Sequence, residues 1–392
     1  MEYRKNPKNG DMLSVLGYGC MRYTKKGGSI DQEKAEKEML YALEHGVNYF
    51  DTAYVYRGCE VALGKFLAKG HRKDVYIATK LPHYQLKTLD DAQRIFQEEL
   101  SRLQTDYIDY YLIHMLTDVA AWRRLEKMGL GDWLEQKVKN GEIRNVGFSY
   151  HGGTKGFIDL IDAHPWDFVQ IQFNYMDEHS QAGLKGLEYA AAQDIPVIIM
   201  EPLRGGRLTV DLPPKAKDIF AQAQPPKTAA EWGLRWIWNH PEVTVVLSGM
   251  NDISQVTENV AVADVALANS LSDEELAIFP RVKEAIDKSV KIPCTGCGYC
   301  MPCPKAVDIP NAFRSYNVSY SDGWYHGIRE YYMATTMRTN PTNAGLCVQC
   351  GKCKKHCPQS INVPEEILKV QKRMENPLYK LVAKFSKYFV KF

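Results

Sequence analysis

The chain has 392 residues, 45% of them hydrophobic and 24% charged, with a formal net charge of +2. That balance belongs to a globular protein with length for one large and one small domain, or two to three average ones, and it gives no global field to recruit nucleic acid. No apolar run is long enough to span a bilayer, and the polar start MEYRKNPKNGD shows no signal peptide, so the expected location is cytoplasmic.

Short apolar runs then alternate with amphipathic stretches at a steady spacing. Eight runs read as strands: LGYG at Leu16, VNYFDT at Val47, VYIATK at Val75, IDYYLIHM at Ile108, IRNVGFSY at Ile143, FVQIQFN at Phe168, VIIMEP at Val197 and VTVVLSG at Val243. Between the first two lies DQEKAEKEMLYALEHG, with Ala35, Met39, Leu40 and Leu43 on one face. After the third comes DAQRIFQEELSRLQ, with Ile95, Phe96, Leu100 and Leu103 together. Asp31 and Asp90 stand where these helices should begin, and Gly46 and Gly70 where helices should end. Eight near-continuous hydrophobic strands, each followed by a helix, predict a closed parallel (β/α)8 TIM barrel. The rival is an open doubly wound sheet, but LGYGCMR offers only G-x-G and no third glycine for its pyrophosphate turn. The pattern ends near residues 261–271, and LSDEELAIFPRVKEAID adds one helix opened by Ser272 and Glu275. The expected domains are 1–285 and 286–392.

In such a barrel the chemistry sits at the C-terminal ends of strands. The second strand ends at Asp51, with Tyr56 five residues on; the third ends at Lys80 and the fourth at His114. Any one of these has an ordinary reading as a cap or a core histidine. Together they suit reduction of a carbonyl. Hydride delivered to carbon leaves an oxyanion that needs a proton. A tyrosine can give it, but its unperturbed pKa is about 10. Lys80 is expected to lower that pKa, Asp51 to hold Lys80, and His114 to orient the carbonyl oxygen.

FDTAYVY with Asp51 and Tyr56, ATK with Lys80, and DYYLIHM with His114 resemble the aldo-keto reductase family, and the likeness runs over about residues 10 to 285. The resemblance implies an NADP or NAD cofactor and a small carbonyl or alcohol substrate, with Tyr56 as general acid. In VGFSYHG it implies that Ser149 contacts the nicotinamide carboxamide; in IQFNYMD it gives Gln172 the same role, supported by Asn174. EPLRGGRL then resembles the pyrophosphate loop, with Leu203, Arg204, Gly205 and Gly206. SGMNDISQVTEN resembles the adenine segment, with Glu258 and Asn259. From Ser248 to Asn259 there is no Lys or Arg for a 2′-phosphate, which leaves NAD open. His151 is read as a substrate contact or a helix cap, and Cys20 and Cys59 as buried thiols. Met21, Arg22, Tyr23, Trp122 and Trp133 suggest an aromatic-lined substrate pocket.

Eight of the ten cysteines lie between Cys294 and Cys357, which in a reducing compartment points to metal ligation. Cys347, Cys350, Cys353 and Cys357 have the C-x2-C-x2-C-x3-C-P spacing of a bacterial [4Fe–4S] run. Cys294, Cys297, Cys300 and Cys303 are one residue shorter at the last step. Fourth cysteines cross in two-cluster ferredoxins. Two [4Fe–4S] clusters are therefore expected: one on Cys294, Cys297, Cys300 and Cys357, the other on Cys347, Cys350, Cys353 and Cys303. Zinc is the alternative, but zinc ribbons use pairs of C-x2-C rather than triplets ending in C-P. The long separation of the runs resembles the helical ferredoxin module of multi-subunit redox enzymes. The last helix, NPLYKLVAKFSKYFVKF, carries Lys380, Lys384, Lys387 and Lys391 on one side and Leu381, Val382, Phe385 and Phe389 on the other. It reads as a packed helix with a solvated basic face, or as a docking surface for an acidic electron-transfer partner or a membrane surface.

The expected protein is an oxidoreductase with a tethered two-cluster ferredoxin domain. The other reading is an electron-transfer or redox-sensing protein whose barrel is a docking platform. Hydride carries two electrons and each cluster one, and no flavin motif bridges them. The clusters are left as structural staples, a redox sensor, or a relay to an external flavoprotein or ferredoxin.

Overall fold

All eight expected strands form: β1 (Leu16–Gly19), β2 (Tyr49–Asp51), β3 (Tyr76–Leu81), β4 (Ile108–Leu116), β5 (Ile143–Tyr150), β6 (Phe168–Gln172), β7 (Val197–Met200) and β8 (Val243–Ser248). They close into one barrel in the order β6-β7-β8-β1-β2-β3-β4-β5, every neighbour parallel. The computed structural model describes every residue except 117, 210–211, 289–290, 293, 295–299, 322, 337–340, 358–360 and 390–392, and no side chain at 356 or 384–389. By contacts the chain divides into two units, Met1–Thr209 with Lys227–Leu276, and Val210–Pro226 with Ala277–Phe392.

The barrel is a packed core, not a pore. Tyr49, Ala78, Tyr110, Leu112, Phe168, Ile198, Val245 and Leu247 cluster with Leu13, which comes from the hairpin Tyr3–Lys5 and Met12–Ser14. Packing is tight enough to select glycine at Gly17, where a Cβ would lie 2.7 Å from Leu247 Cδ2.

Helix α1 (Gln32–Glu44) opens where expected, with the Asp31 side chain accepting from the Lys34 amide, and ends before Gly46 at φ +91°. Its buried face differs from the expected one. Leu40 is 37% exposed, while Glu38 is 1% exposed with Lys34 Nζ at 3.8 Å. Helix α2 (Cys59–Leu67) follows β2, and α3 (Leu89–Leu103) follows β3. The start of α3 corrects the expectation for Asp90. Thr88 is the cap, in extended backbone, and Asp91 completes its capping box. Asp90 already lies in the first turn. Ser272 and Glu275 do form the expected box, at 3.3 and 2.9 Å, but the helix they open breaks into Asp273–Leu276 and Ile278–Asp287.

The second unit is mostly helical. Helices Ile309–Ser321, Trp324–Tyr331, Val363–Met374 and Pro377–Phe389 supply a core that includes Phe313, Tyr316, Tyr331, Ile367, Val370 and Met374. Buried Glu375 accepts from Tyr331 Oη at 2.5 Å and from the Gly345 amide at 2.7 Å, while the Ala344 amide donates to Tyr331 Oη at 2.7 Å. That knot fixes the chain just before Cys347. In the last helix Tyr379 and Ala383 pack inward, but Leu381 and Val382 are exposed, so the expected apolar face is not the packed one. Lys380 is exposed; the side chains of Lys384, Phe385, Lys387 and Phe389, and Lys391, lie outside the described residues. No helix among the described residues is long and apolar enough to cross a membrane.

Candidate active site and cysteine centre

The four tetrad positions gather at the strand ends. Asp51 closes β2, Lys80 lies near the end of β3, and His114 near the end of β4. Lys80 Nζ donates to Asp51 Oδ1 at 2.5 Å and to the Thr52 carbonyl at 2.7 Å. The second Asp51 oxygen accepts from Gln170 Nε2 at 2.9 Å. Lys80 Nζ also sits 5.3 Å from the Tyr56 ring centroid. Tyr56 meets His114 edge to face, with centroids 6.0 Å apart. A local irregularity aims His114: the β4–β5 register shifts between Ile113 and Leu116, and Met115 takes φ +57°. The Met115 amide donates to Ser149 Oγ at 2.8 Å, which pins this bulge.

The electrostatics correct one expectation. The Tyr56 phenol is pushed up, first by burial and then by the charges of Asp51 and Glu201, rather than lowered by Lys80. The phenol is thereby held in its protonated form. Burial, then the charges of Lys80, His151 and His83, lowers His114 to about 3, so its imidazole is neutral. Unfolded histidine takes a proton at about 6.5. Between about 3 and 6.5 the unfolded chain therefore binds the extra proton, and stability falls as the pH is lowered through that window. Melting temperatures measured from pH 7 to 5 should drop less steeply in His114→Gln; an unchanged slope would refute this.

The residues implied for the cofactor do not stand apart. Buried Asp177, which the sequence reading passed over, collects three of them. Its Oδ2 accepts from Gln172 Nε2 at 2.8 Å, Asn174 Nδ2 at 2.9 Å and Arg204 Nε at 2.9 Å, and Arg204 Nη2 bonds Oδ1. Burial alone would raise this carboxyl, but Arg204, Asn174 and Gln172 reverse that and hold it down to about 2. Leu203 precedes Arg204, and Gly205 and Gly206 follow at φ +65° and +94°. A Cβ on Gly205 would lie 2.7 Å from Arg22 Nη2, and one on Gly249 would lie 3.1 Å from Arg22 Cδ. Arg22 thus brings a further cation to these loops from a distant part of the chain. Glycine backbone with a guanidinium suits a pyrophosphate, and the buried His114 Nδ1 has no partner among the described residues. These features fit a nicotinamide dinucleotide. Asn259 Nδ2 donates to Ser248 Oγ at 3.0 Å, and Glu258 pairs with Thr228 Oγ1. Asp177→Ala should weaken cofactor binding about tenfold, because three side chains lose their common anchor. Fluorescence titration would read this, and an unchanged Kd would overturn it.

Other positions fall elsewhere. Trp122 is fully buried against Trp166 and His164, Trp133 packs on Phe96, and the Tyr23 hydroxyl faces Met39. Trp122 and Tyr23 are core residues and Trp133 is half-buried in its helix packing, so the expected aromatic pocket is not built from them; Met21 and Arg22 are exposed. Besides Tyr56, an aromatic beside His114 is Tyr84, 6.3 Å away. His151 is exposed after β5, and Gly153 caps the next helix in its place. Burial pushes the Cys20 thiol up and Cys59 to about 11, which leaves both unreactive.

In the second unit a cavity of about 270 Å³ is lined by Cys303, Cys347, Cys350 and Cys353, with Cys300 also on its wall. The loop bends around it because Gln349 and Gly351 both adopt left-handed backbone, φ +56° and +75°. Burial raises the Cys353 thiol, and the charges of Cys347, Cys303 and Cys350 raise it further. A cationic metal centre would relieve that repulsion once the thiols ionise. Four thiols on one cavity wall, three of them in C-x2-C-x2-C spacing, fit a [4Fe–4S] cluster. Cys294, Cys300 and Cys357 are half-buried against the same apolar core, and Cys297 lies outside the described residues.

The family model described as "Aldo/keto reductase family" matches residues 15–283, and "4Fe-4S dicluster domain" matches 293–361. The chain is 31% identical over 288 residues to an aldo-keto reductase of Mycobacterium sp. (strain MCS), covering 70% of this chain and 89% of that one. It is 25% identical over 307 residues to L-galactose dehydrogenase of Arabidopsis thaliana, covering 73% and 95%. An aldo/keto reductase of Klebsiella pneumoniae, solved with NADP and acetate, superposes with a TM-score of 0.57 at 25% identity, covering 72% of this chain and 96% of that one.

Proposed function

Because the chain belongs to the aldo/keto reductase family, we propose that it transfers hydride between NAD(P)H and a small carbonyl or alcohol, with Tyr56 as the general acid. One observation carries the reading: Lys80, anchored by Asp51 and the Thr52 carbonyl, lies 5.3 Å from the ring of Tyr56, which faces a neutral His114. The nicotinamide, when bound, supplies or takes the hydride. Tyr56 gives its proton to the carbonyl oxygen. The Lys80 ammonium stabilises the phenolate as it forms, and Gln170 and Asp51 keep that ammonium in place. His114 orients the carbonyl oxygen by a hydrogen bond. Gln172, Asn174 and Ser149 would hold the carboxamide, and Leu203 to Gly206 with Arg22 the pyrophosphate.

The hydride and one proton balance the reduction with no electron from the cysteine module. That module would hold two [4Fe–4S] clusters, with Cys303, Cys347, Cys350 and Cys353 on one and Cys294, Cys297, Cys300 and Cys357 on the other. The cavity that the end of the first run, Cys300 and Cys303, shares with the second run supports a crossing of one of these ligands. To test the reading, anaerobically purified protein is assayed for NADH and NADPH oxidation against a panel of aldehydes and ketones. Turnover should appear with at least one, and Lys80→Met should lower it at least about tenfold. No turnover with any carbonyl, or an undiminished Lys80→Met, would sink the assignment.

A further inference from the structure

The cavity ringed by Cys303, Cys347, Cys350 and Cys353 reaches the surface. Cys350 is exposed, and Met301 and Val348, also on its wall, are 36% and 57% exposed. Two lysines, Lys305 and Lys352, line the same cavity, and Lys354 and Lys355 follow in the adjoining turn Lys352–His356. All four are exposed. None has a carboxylate partner among the described residues, although Lys369, a short way on, is paired with Glu365 and Glu366. The sequence supplies no local partner: residues 291–307 and 344–363 contain no Asp or Glu. A chain of net charge +2 thus concentrates positive charge, unpaired among the described residues, around the exposed Cys350.

We propose that this rim is the docking face for a small acidic one-electron carrier protein, with Lys305, Lys352, Lys354 and Lys355 steering it and Met301 and Val348 forming the dry contact. The proposal rests on the reading that a [4Fe–4S] cluster occupies the cavity. Lysines on a rim raise encounter rates and set orientation more than they add affinity. An exposed ligand at the centre suits electron transfer, which demands close approach. The exchange is one electron out of the reduced carrier and one into the cluster behind Cys350, with no atom or proton moved. A carrier of that kind also removes the mismatch between hydride pairs and single electrons, because the two chemistries need not meet directly.

The test uses the full chain, anaerobically purified, and a reduced acidic [2Fe–2S] ferredoxin as the probe. Stopped-flow reduction of the clusters should slow steeply with added salt. Lys352→Glu/Lys354→Glu/Lys355→Glu should lose at least about tenfold in rate and most of the salt dependence. The matching Lys→Arg variant should retain both, and Lys37→Glu on α1 should change neither. Iron content and the reduced-state paramagnetic spectrum report separately whether clusters are present. Their absence would defeat the reading on which the proposal rests, not the choice of partner. With clusters intact, a charge-reversed variant that reacts at the original rate and salt slope overturns the proposal. So does a variant that shifts only the cluster midpoint potential, because the lysines would then merely offset cluster charge. Charge-dependent binding to phosphatidylglycerol vesicles, with no reaction with ferredoxin, would overturn it in favour of a lipid surface.

Discussion

Tyr56→Phe should lower kcat/KM for carbonyl reduction by about two to four orders of magnitude, which corresponds to about 3–5 kcal/mol of transition-state stabilisation. The substitution removes only the hydroxyl. The ring keeps its edge-to-face packing on His114, so the pocket has no reason to rearrange. Cofactor affinity should stay close to the original, because the groups proposed to hold the dinucleotide, Gln172, Asn174 and Arg204, are held by Asp177 and not by Tyr56. A second substitution sharpens the result. If Lys80 acts through the phenolate, Lys80→Met in the Tyr56→Phe background should cost little beyond Tyr56→Phe alone. Two independent losses that multiply would mean that Lys80 touches substrate or cofactor directly. Turnover undiminished in Tyr56→Phe would remove the general acid from the mechanism.

The barrel was legible because its signal is repeated. Eight buried parallel strands give eight apolar runs, and one misread strand would leave seven. The tetrad was legible for a related reason: each member stands at or just beyond a strand end that periodicity locates. What escaped the sequence were side chains defined by partners far away in the chain. Gln170 holds Asp51 from 119 residues on, and nothing in FVQIQFN marks that glutamine as different from its neighbours. Nothing in IQFNYMD singles out Asp177, whose role shows only where Gln172, Asn174 and Arg204 converge on it. The opposite error arose with Trp122 and Trp133. Loop position suggested a pocket, but aromatic rings gain from burial: Trp122 is fully buried and Trp133 is half-buried against Phe96. The tyrosine acidity was misjudged because pairwise reasoning placed Lys80 beside Tyr56 without the burial and the carboxylates around it.

The crossing of the fourth cysteines can be read from pairs of substitutions. Cys350→Ala should remove one cluster and half of the iron, if each cluster needs all four thiolates. Cys303→Ala/Cys350→Ala should then lose no more iron than Cys350→Ala, because both residues serve the same cluster. Cys300→Ala/Cys350→Ala should lose both clusters and nearly all of the iron. The contrast matters because Cys300 and Cys303 both stand on the wall of the cavity with Cys347, Cys350 and Cys353. Five cysteines around one site leave one to face elsewhere. The two runs differ by a single residue in their last step, and the proposed crossing makes Cys303 the ligand that serves the second run. If the Cys303 pair instead strips both clusters and the Cys300 pair only one, Cys300 is the crossing ligand. If every single substitution empties the whole module, cluster binding and folding of this unit are one event, as in small metal-folded domains. The buried knot of Tyr331, Glu375 and the Ala344 and Gly345 amides argues against that outcome. It fixes the approach to Cys347 without any metal, so single variants should keep their helices and lose only their iron.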